Sequence, residues 1–189
     1  MENSRIFILQ VLNVLKEYSD EGHYLTQTKI INKLNDIGVD CDRRSVSKAI
    51  NELIDFGYDI DRKPRFGYAL FSRTFDKSEA EYLIHAAFSS RSISIKDAKK
   101  LSDKIESSFS VNDRKDFSYI NKSGEISRTD NPQVFLNIEL IGEAIQKNKK
   151  ISFEYLGIGS DLVKRPKKNG KRYLVSPYYI FVNNGSFLF

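Results

Sequence analysis

The residues with the clearest capacity for chemistry lie together at the start of one predicted helix, between Asp42 and Phe56. Its buried stripe is expected to comprise Val46, Ala49 or Ile50, Leu53 and Ile54, which recur at helical spacing. Its outward face is expected to carry Arg43, Arg44, Ser47, Lys48 and Asn51. Arginine can hold guanine through two hydrogen bonds, asparagine can do the same with adenine, and lysine or serine can bind bases or phosphates. An ordinary solvated helix face is the alternative, and the neighbouring elements decide between the two.

Two helices are predicted before this one and a hairpin after it. The first helix covers residues 5–18, with an apolar stripe expected at Ile6, Leu9, Val11 or Leu12, and Leu15. Thr26 is expected to cap a short second helix that ends near Gly38, with Ile30, Ile31 and Leu34 facing inward. Residues 58–60 and 66–70 are typical of two short strands joined by a basic turn. Three helices followed by a hairpin predict a winged helix-turn-helix, whose third helix enters the major groove of DNA.

This order of elements extends the expected DNA-binding surface beyond the third helix. Side chains at the start of the second helix and at the hairpin tip lie close to the phosphate backbone in such domains. The residues expected to bind DNA are Thr26, Thr28, Lys29, Arg43, Arg44, Ser47, Lys48, Asn51, Arg62, Lys63 and Arg65.

Charge is distributed unevenly along the 189 residues, which carry a net charge of +5. Residues 1–75 hold eleven basic and eleven acidic side chains, whereas residues 145–189 hold nine basic and two acidic ones. DNA binding by the N-terminal segment therefore requires its cations to be focused locally. The chain has no long uncharged apolar run and no basic-then-apolar leader, so we expect a cytoplasmic protein that does not enter membranes.

The rest of the chain is predicted to be helical first and then β-structured, which makes the fold class α+β. Two helices are expected within residues 76–110, opened by Asp76 with Glu79 and by Ser94 with Asp97. Residues 111–131 are polar and predict a linker or mobile loop, after which Pro132 starts another helix. Strands are expected at 151–155, at about 172–182 and from 186, with a tight turn at 183–185. The predicted domains are 1–75, a connector at 76–130, and a helix with an incomplete β domain at 131–189.

A basic cluster lies at residues 164–172, with six cations in nine positions. Such a cluster can hold phosphates without reading sequence, with only Tyr173 beside it to stack on a base. A solvated hairpin loop is an equally good interpretation.

Several motifs together resemble those of the WYL-domain transcriptional regulators with an N-terminal DeoR-like winged helix-turn-helix. Residues 42–53 resemble the recognition helix of this family, and residues 66–70 resemble its wing. Residues 76–81 are similar to the start of its connecting helices. Residues 151–155, 175–179 and 184–188 follow the order of the first strands of a WYL domain. Ser186, Phe187 and Leu188 stand where the family has Trp-Tyr-Leu.

The resemblance implies a partial Sm-like β-barrel at the C-terminus that senses a nucleotide or nucleic-acid effector. Tyr155 falls at a position that the family associates with the ligand pocket. The ligand-binding residues expected on these grounds are Tyr155, Lys164, Arg165, Lys167, Lys168, Lys171 and Arg172. The later strands of the family domain would lie beyond Phe189, so we expect the sequence to be truncated within it.

Signals for catalysis are weak, and we expect neither an enzyme nor a cofactor. His23 and His85 lack the spacing of metal ligands, and the lone Cys41 offers neither a disulfide nor a metal pair. The sequence predicts a DNA-binding regulator that dimerises through helices between residues 76 and 148. The alternatives are a protein-interaction or non-specific nucleic-acid-binding accessory module with a winged helix, and an enzyme fragment.

Overall fold

A computed structural model describes residues 2–120, 131–158, 164–183 and 186–188. These ranges contain seven α-helices and four small antiparallel sheets of two strands each, which confirms the α+β class. The chain divides into a first unit, Met1–Phe88 with Ala98–Ser123, and a second unit, Ser89–Asp97 with Gly124–Phe189. The helices expected to connect two domains thus lie largely within the first unit.

The first unit begins with helices α1 (Glu2–Tyr18), α2 (Gln27–Asp36) and α3 (Arg43–Asp55). Both expected caps are confirmed: the Thr26 hydroxyl accepts a hydrogen bond from the Lys29 N–H at 3.3 Å, and the Asp42 carboxylate accepts one from the Ser45 N–H at 2.7 Å. These side chains satisfy amide donors that a helix start leaves unpaired, so each helix has a defined first turn.

The three helices bury one common core. Its fully or nearly fully buried members are Val11, Leu12, Val14, Leu15, Ile30, Leu34, Val46, Ala49, Ile50 and Leu53. The expected stripe of α1 is wrong at its N-terminal end, because Ile6 and Leu9 are 55% and 59% exposed. At about 100° of rotation per residue, these two positions face away from Val11 and Leu15, while Phe7 and Ile8 take the inward side. Ile54 is also exposed, since it lies at the margin of the inward face of α3.

A hairpin of β1 (Ile60–Lys63) and β2 (Gly67–Leu70) follows α3, with Ile60 opposite Leu70 and Lys63 opposite Gly67. The hairpin is confirmed, but Arg62 and Lys63 belong to β1, so the turn comprises only residues 64–66.

The chain before α2 contacts the start of β2, next to the turn of this hairpin. The Leu25 N–H donates to the Tyr68 carbonyl at 2.8 Å, and the Tyr68 N–H donates to the Leu25 carbonyl at 2.9 Å. Gly67 has a φ of 108°, and a Cβ there would lie 2.0 Å from the Leu25 carbonyl oxygen. Only glycine permits so close an approach of the two backbones.

Helices α4 (Lys77–Ser89), α5 (Ile95–Glu106) and α6 (Asp113–Asp116) follow, and a 3-10 turn covers Phe117–Tyr119. The Glu79 carboxylate accepts from the Asp76 N–H at 2.9 Å, and the Ser94 hydroxyl accepts from the Asp97 N–H at 3.1 Å, so both expected helix starts are confirmed. The expectation of a linker is wrong for residues 111–120. Phe117 is fully buried with its ring centroid 5.2 Å from that of Phe109. Residues 121–130 lie outside the described residues.

A polar junction, defined by Ser19, Asp20, Arg73, Ser110 and Arg114, joins α6 to the C-terminal end of α1. The Ser19 hydroxyl donates to the Leu15 carbonyl at 2.7 Å and accepts from the Leu70 N–H at 3.0 Å. The Ser110 hydroxyl donates to the Asp20 carboxylate at 2.6 Å. Arg114 donates twice to the Glu17 carboxylate, at 3.1 and 2.7 Å. These bonds explain why a polar segment packs against the helical core instead of remaining in solvent.

The second unit contains helix α7 (Val134–Gln146) and six short strands. Strand β3 (Ile151–Glu154) pairs with β6 (Arg172–Val175), β4 (Leu156–Ile158) with β5 (Lys164–Pro166), and β7 (Phe181–Asn183) with β8 (Ser186–Leu188). The helix after Pro132 and the β7–β8 hairpin are confirmed, although Asn184 and Gly185 lie outside the described residues.

Two expectations about the second unit are corrected. The strand expected at about 172–182 is divided by residues 176–180, which include Pro177, a residue that cannot donate a ladder hydrogen bond. Strands β4 and β5 were not expected, and β5 replaces the first part of the expected basic loop. In the described ranges the strands form separate pairs and do not close into a barrel. The part of the chain described here has no helix with the length and apolar content needed to cross a membrane.

Candidate nucleic-acid interface

The outward face of α3 has the composition that the sequence predicts. Arg43, Arg44, Lys48 and Asn51 are exposed, and Ser47 is half-buried. The Arg43 guanidinium reaches the Thr28 hydroxyl at 3.5 Å, so α2 and α3 present polar groups side by side. Lys48 lies 3.8 Å from the Glu52 carboxylate within the same helix, and its side chain remains three-quarters exposed. The three cations of α3 and the amide group of Asn51 are therefore accessible to a large ligand.

Sequence reasoning missed one residue at the start of α2. The Gln27 amide donates a hydrogen bond to the Ser47 hydroxyl, which places Gln27 directly beside α3. Glutamine can form two hydrogen bonds with adenine, so this residue belongs with the candidate base contacts. In the sequence, its position directly after the Thr26 cap was the feature that could have identified Gln27 as a candidate. Thr28 and Lys29 are exposed beside it, whereas the Thr26 hydroxyl already serves as the cap.

The hairpin presents three cations, two of which are held by aromatic rings. The Arg62 guanidinium lies 5.5 Å from the centre of the Tyr68 ring, and the Lys63 amine lies 4.3 Å from that of Tyr24. A hydrogen bond with the Tyr24 hydroxyl raises the pKa of Lys63 above its ordinary value. Arg65 occupies the turn with a φ of 69° and is exposed.

One cleft connects the hairpin with α2. Its lining residues are Thr26, Gln27, Arg62, Lys63, Pro64, Arg65, Gly67 and Tyr68. Gln27 thus touches α3 through Ser47 and borders the hairpin through this cleft. The structure therefore brings all three predicted DNA-binding elements to one surface.

We call this surface the basic face and define it by its polar residues. They are Gln27, Thr28, Lys29, Arg43, Arg44, Ser47, Lys48, Asn51, Arg62, Lys63 and Arg65. It contains seven cations, although residues 1–75 carry no net charge. Several of the balancing acidic groups are occupied elsewhere: Glu17 pairs with Arg114, and Asp20 lies in the polar junction. Seven of the eleven cations of residues 1–75 thus belong to the basic face.

The second predicted site lies in the second unit around an aromatic cluster of Phe153, Tyr155 and Tyr173. The ring centroids of Tyr155 and Tyr173 are 5.2 Å apart, and those of Phe153 and Tyr173 are 6.0 Å apart. The amines of Lys168 and Lys171 each lie 5.9 Å from the centre of the Tyr173 ring. The expected ligand residue Tyr155 is therefore brought together with two members of the basic cluster.

The other members of that cluster lie on the strands around it. Arg165 lies in β5, and the Arg172 guanidinium donates to the Ser152 hydroxyl at 3.0 Å. The Lys167 N–H donates to the Tyr155 carbonyl at 2.7 Å, which ties the basic segment to the aromatic cluster. The side chain of Lys164 lies outside the described residues.

Within the described ranges, no group of three or more His, Cys, Asp or Glu side chains could hold a metal ion. The Nδ1 atom of His23 forms a hydrogen bond with the Asp20 carboxylate at 2.7 Å. Burial, together with Asp40 and Asp42, raises the pKa of the Cys41 thiol, which disfavours its reactive thiolate form.

Comparisons of the chain with models of protein families, with curated proteins and with solved structures find no match. The resemblance to the WYL-domain regulators stays a prediction from the sequence motifs.

Proposed function

We propose that the protein is a sequence-specific DNA-binding transcriptional regulator whose residues 1–75 act as a winged helix-turn-helix. The observation that carries this proposal is the basic face, on which exposed cations and amides of α2, α3 and the hairpin meet. A binding surface for a metabolite or an acidic peptide would not need three elements with seven cations between them. Duplex DNA offers both the charge and the length that such a surface matches.

In this proposal α3 lies in the major groove with its first two turns against the bases. Arg43, Arg44 and Asn51 then supply base contacts, while Lys48 and Ser47 serve bases or phosphates. Thr28 and Lys29 at the start of α2 face the adjacent phosphates. The hairpin cations follow the backbone on the other side of the groove.

The exposed apolar residues of the later helices support the proposed homodimer. Tyr82 and Leu83 on α4, and Phe135, Leu136 and Leu140 on α7, are all exposed. Burial of such side chains against a second copy would be favourable. A two-fold dimer would place two α3 helices about 34 Å apart, one turn of the DNA helix, and would select an inverted repeat.

The aromatic cluster with its lysines supports an effector site of WYL type in the second unit. Tyr155 and Tyr173 offer ring faces on which a base can stack, and Lys168 and Lys171 offer charge for phosphates. A nucleotide or a nucleic-acid strand has both features. We infer that such a ligand controls DNA binding by the regulator.

Titration of the purified chain against a random-sequence duplex library at two salt concentrations tests the proposal. We expect affinity that falls with salt, and enrichment of an inverted repeat. The double variant R43A/R44A should lose about a hundredfold in affinity for the enriched duplex, because each lost bidentate contact costs roughly 1–3 kcal/mol. The double variant K99A/K104A removes the same charge from α5 and should bind like the wild type.

The alternative is an accessory module that binds nucleic acid without sequence preference or uses the basic face for a protein partner. Weak binding without enrichment, equal in wild type and R43A/R44A, would favour that module over the regulator. Affinity that depends instead on Lys168 and Lys171 would place non-specific binding in the second unit.

A further inference from the structure

Phe66 stands out at the tip of the β1–β2 hairpin because it is an aromatic residue that is 65% exposed. The other aromatic residues of this hairpin region are covered: Tyr68 is buried, and Tyr24 and Phe71 pack edge to face with centroids 6.4 Å apart. Lys63 and Arg65 are exposed and precede Phe66 by three positions and one position in the chain. The tip therefore combines one uncovered apolar side chain with a strongly positive surrounding.

The turn that carries Phe66 is rigid. Pro64 has a fixed φ, and the Phe66 N–H donates to the Lys63 carbonyl at 3.1 Å, which closes the turn. On the other side, Gly67 lies against the Leu25 carbonyl, and Tyr68 forms two hydrogen bonds with Leu25. A ring fixed on a rigid turn loses little conformational freedom when it enters a complementary site.

We propose that Phe66 enters the minor groove of duplex DNA and acts as a wedge at a base step beside the segment contacted by α3. This inference rests on the proposed function, and it adds a specificity-determining residue that works without hydrogen bonds to bases. The charge of the basic face selects a polyanion as the occupant, and the interior of a nucleic-acid groove is the part of a polyanion that can cover an apolar ring.

Wedge insertion has a consequence for sequence preference. Opening a base step costs stacking energy, and the cost is smallest at the flexible pyrimidine–purine steps TA and CA/TG. The protein should therefore bend its DNA and prefer such a step at a fixed distance from the bases read by α3. Arg62, Lys63 and Arg65 would hold the phosphates on either side of the opened step.

The test compares wild type with Phe66→Ala and Phe66→Leu on the duplex enriched from the random library. Affinity, bend angle on circularly permuted fragments, and fluorescence of 2-aminopurine at the flanking step are measured together. Phe66→Ala should lose about tenfold in affinity, most of the bend and the preference for a flexible step, because a stacked aromatic side chain contributes that much per base. Phe66→Leu should retain part of the bend, since leucine also serves as a wedge.

Phe56→Ala is the matched control, because this phenylalanine follows α3 in the same unit, is 83% exposed and lies outside the basic face. It should bind and bend DNA like the wild type. The proposal is overturned if Phe66→Ala keeps the bend and the flanking preference while R43A/R44A loses affinity, since the proposed function then stands without the wedge. If wild type binds no duplex at all, the proposed function fails and the wedge fails with it.

Discussion

The two units of this chain differ in how far their helices bury apolar side chains. In the first unit α1, α2 and α3 each bury a stripe, and even the polar segment around Phe117 packs against the core. In the second unit α7 has no buried residue, and Phe135, Leu136 and Leu140 are between 46% and 52% exposed. The first unit thus buries one face of each of α1, α2 and α3, whereas the apolar side chains of α7 remain at least partly exposed.

Charged side chains also differ between the polar junction of the first unit and the basic cluster of the second. In the polar junction of the first unit, charged groups are consumed by internal bonds, such as the pair of Arg114 with Glu17. In the second unit, Lys168 and Lys171 remain exposed beside the Tyr173 ring. A DNA-binding unit must hold its contacting side chains in fixed positions. A ligand-sensing unit must leave its binding surface accessible. The difference between the units matches these two tasks in the proposed regulator.

Removal of one phenylalanine side chain from each unit should give the largest difference between the units in the free energy of unfolding. Phe117→Ala deletes a fully buried ring and should lower the free energy of unfolding by about 3–5 kcal/mol. Phe135→Ala deletes an exposed ring of α7 and should change it by less than about 0.5 kcal/mol. Urea unfolding of dilute protein, followed by circular dichroism, measures both changes. Equal losses would break the comparison, because they would mean that α7 is covered in solution.

A smaller effect is expected from Ser19, the buried hydroxyl of the polar junction. Ser19→Ala leaves the Leu70 N–H without its acceptor and should cost about 1–3 kcal/mol in the free energy of unfolding. Ser78→Ala, at an exposed position near the start of α4, is the control and should be close to neutral. A neutral result for Ser19→Ala would show that water replaces the hydroxyl at the junction.

The polar junction also predicts that the free energy of unfolding depends on pH in the acidic range. Burial acts to raise the pKa of Asp20, but hydrogen bonds from Ser110, His23 and the Gly22 N–H outweigh it and lower the pKa below its ordinary value of 3.8. The carboxylate therefore stabilises the fold fully above pH 3.8, and this contribution is lost as the pH falls through the lowered pKa. The free energy of unfolding should fall less steeply below that pH in Asp20→Asn than in wild type. Parallel profiles for the two proteins would remove Asp20 from this account.

The smallest stability effects are expected at the exposed ion pairs, one in each unit. Lys147 pairs with Glu143 on α7, and Lys48 pairs with Glu52 on α3. Exposed pairs of this kind add little to stability, so neither Lys147→Ala nor Lys48→Ala should measurably change the unfolding midpoint. Only Lys48→Ala should weaken DNA binding and reduce its dependence on salt by roughly one phosphate contact. Equal affinities of the two variants would contradict the role of Lys48.

Local chemistry made much of the first unit predictable from the sequence. The caps at Thr26 and Asp42, the inward face of α3 and the hairpin depend on residues within a few positions of each other. The predicted stripe of α1 was wrong at Ile6 and Leu9, which have helical spacing but lie on the side away from the other helices, whereas Val11, Leu12 and Leu15 are buried. Spacing identifies a helix, and only its neighbours decide which apolar face is buried.

Contacts between distant residues were not predictable. The packing of residues 111–120 depends on Asp20 and Glu17, about ninety positions earlier in the chain. The same holds at the candidate site, where the approach of Gln27 to Ser47 and of Lys63 to Tyr24 follows from how three elements meet. The cations of the basic face were visible in the sequence, and their convergence on one surface required the fold.

The close approach at Gly67 gives the hairpin two parts with different freedom to change. Any side chain at Gly67 would collide with the Leu25 carbonyl, so the start of β2 and the segment before α2 form one closely packed joint. Residues 64–66 lie beyond that joint and bear on no buried backbone. The turn at residues 64–66 can therefore be exchanged or lengthened without disturbing this joint. Other turn sequences placed there would alter what the hairpin contacts while α3 stays in place.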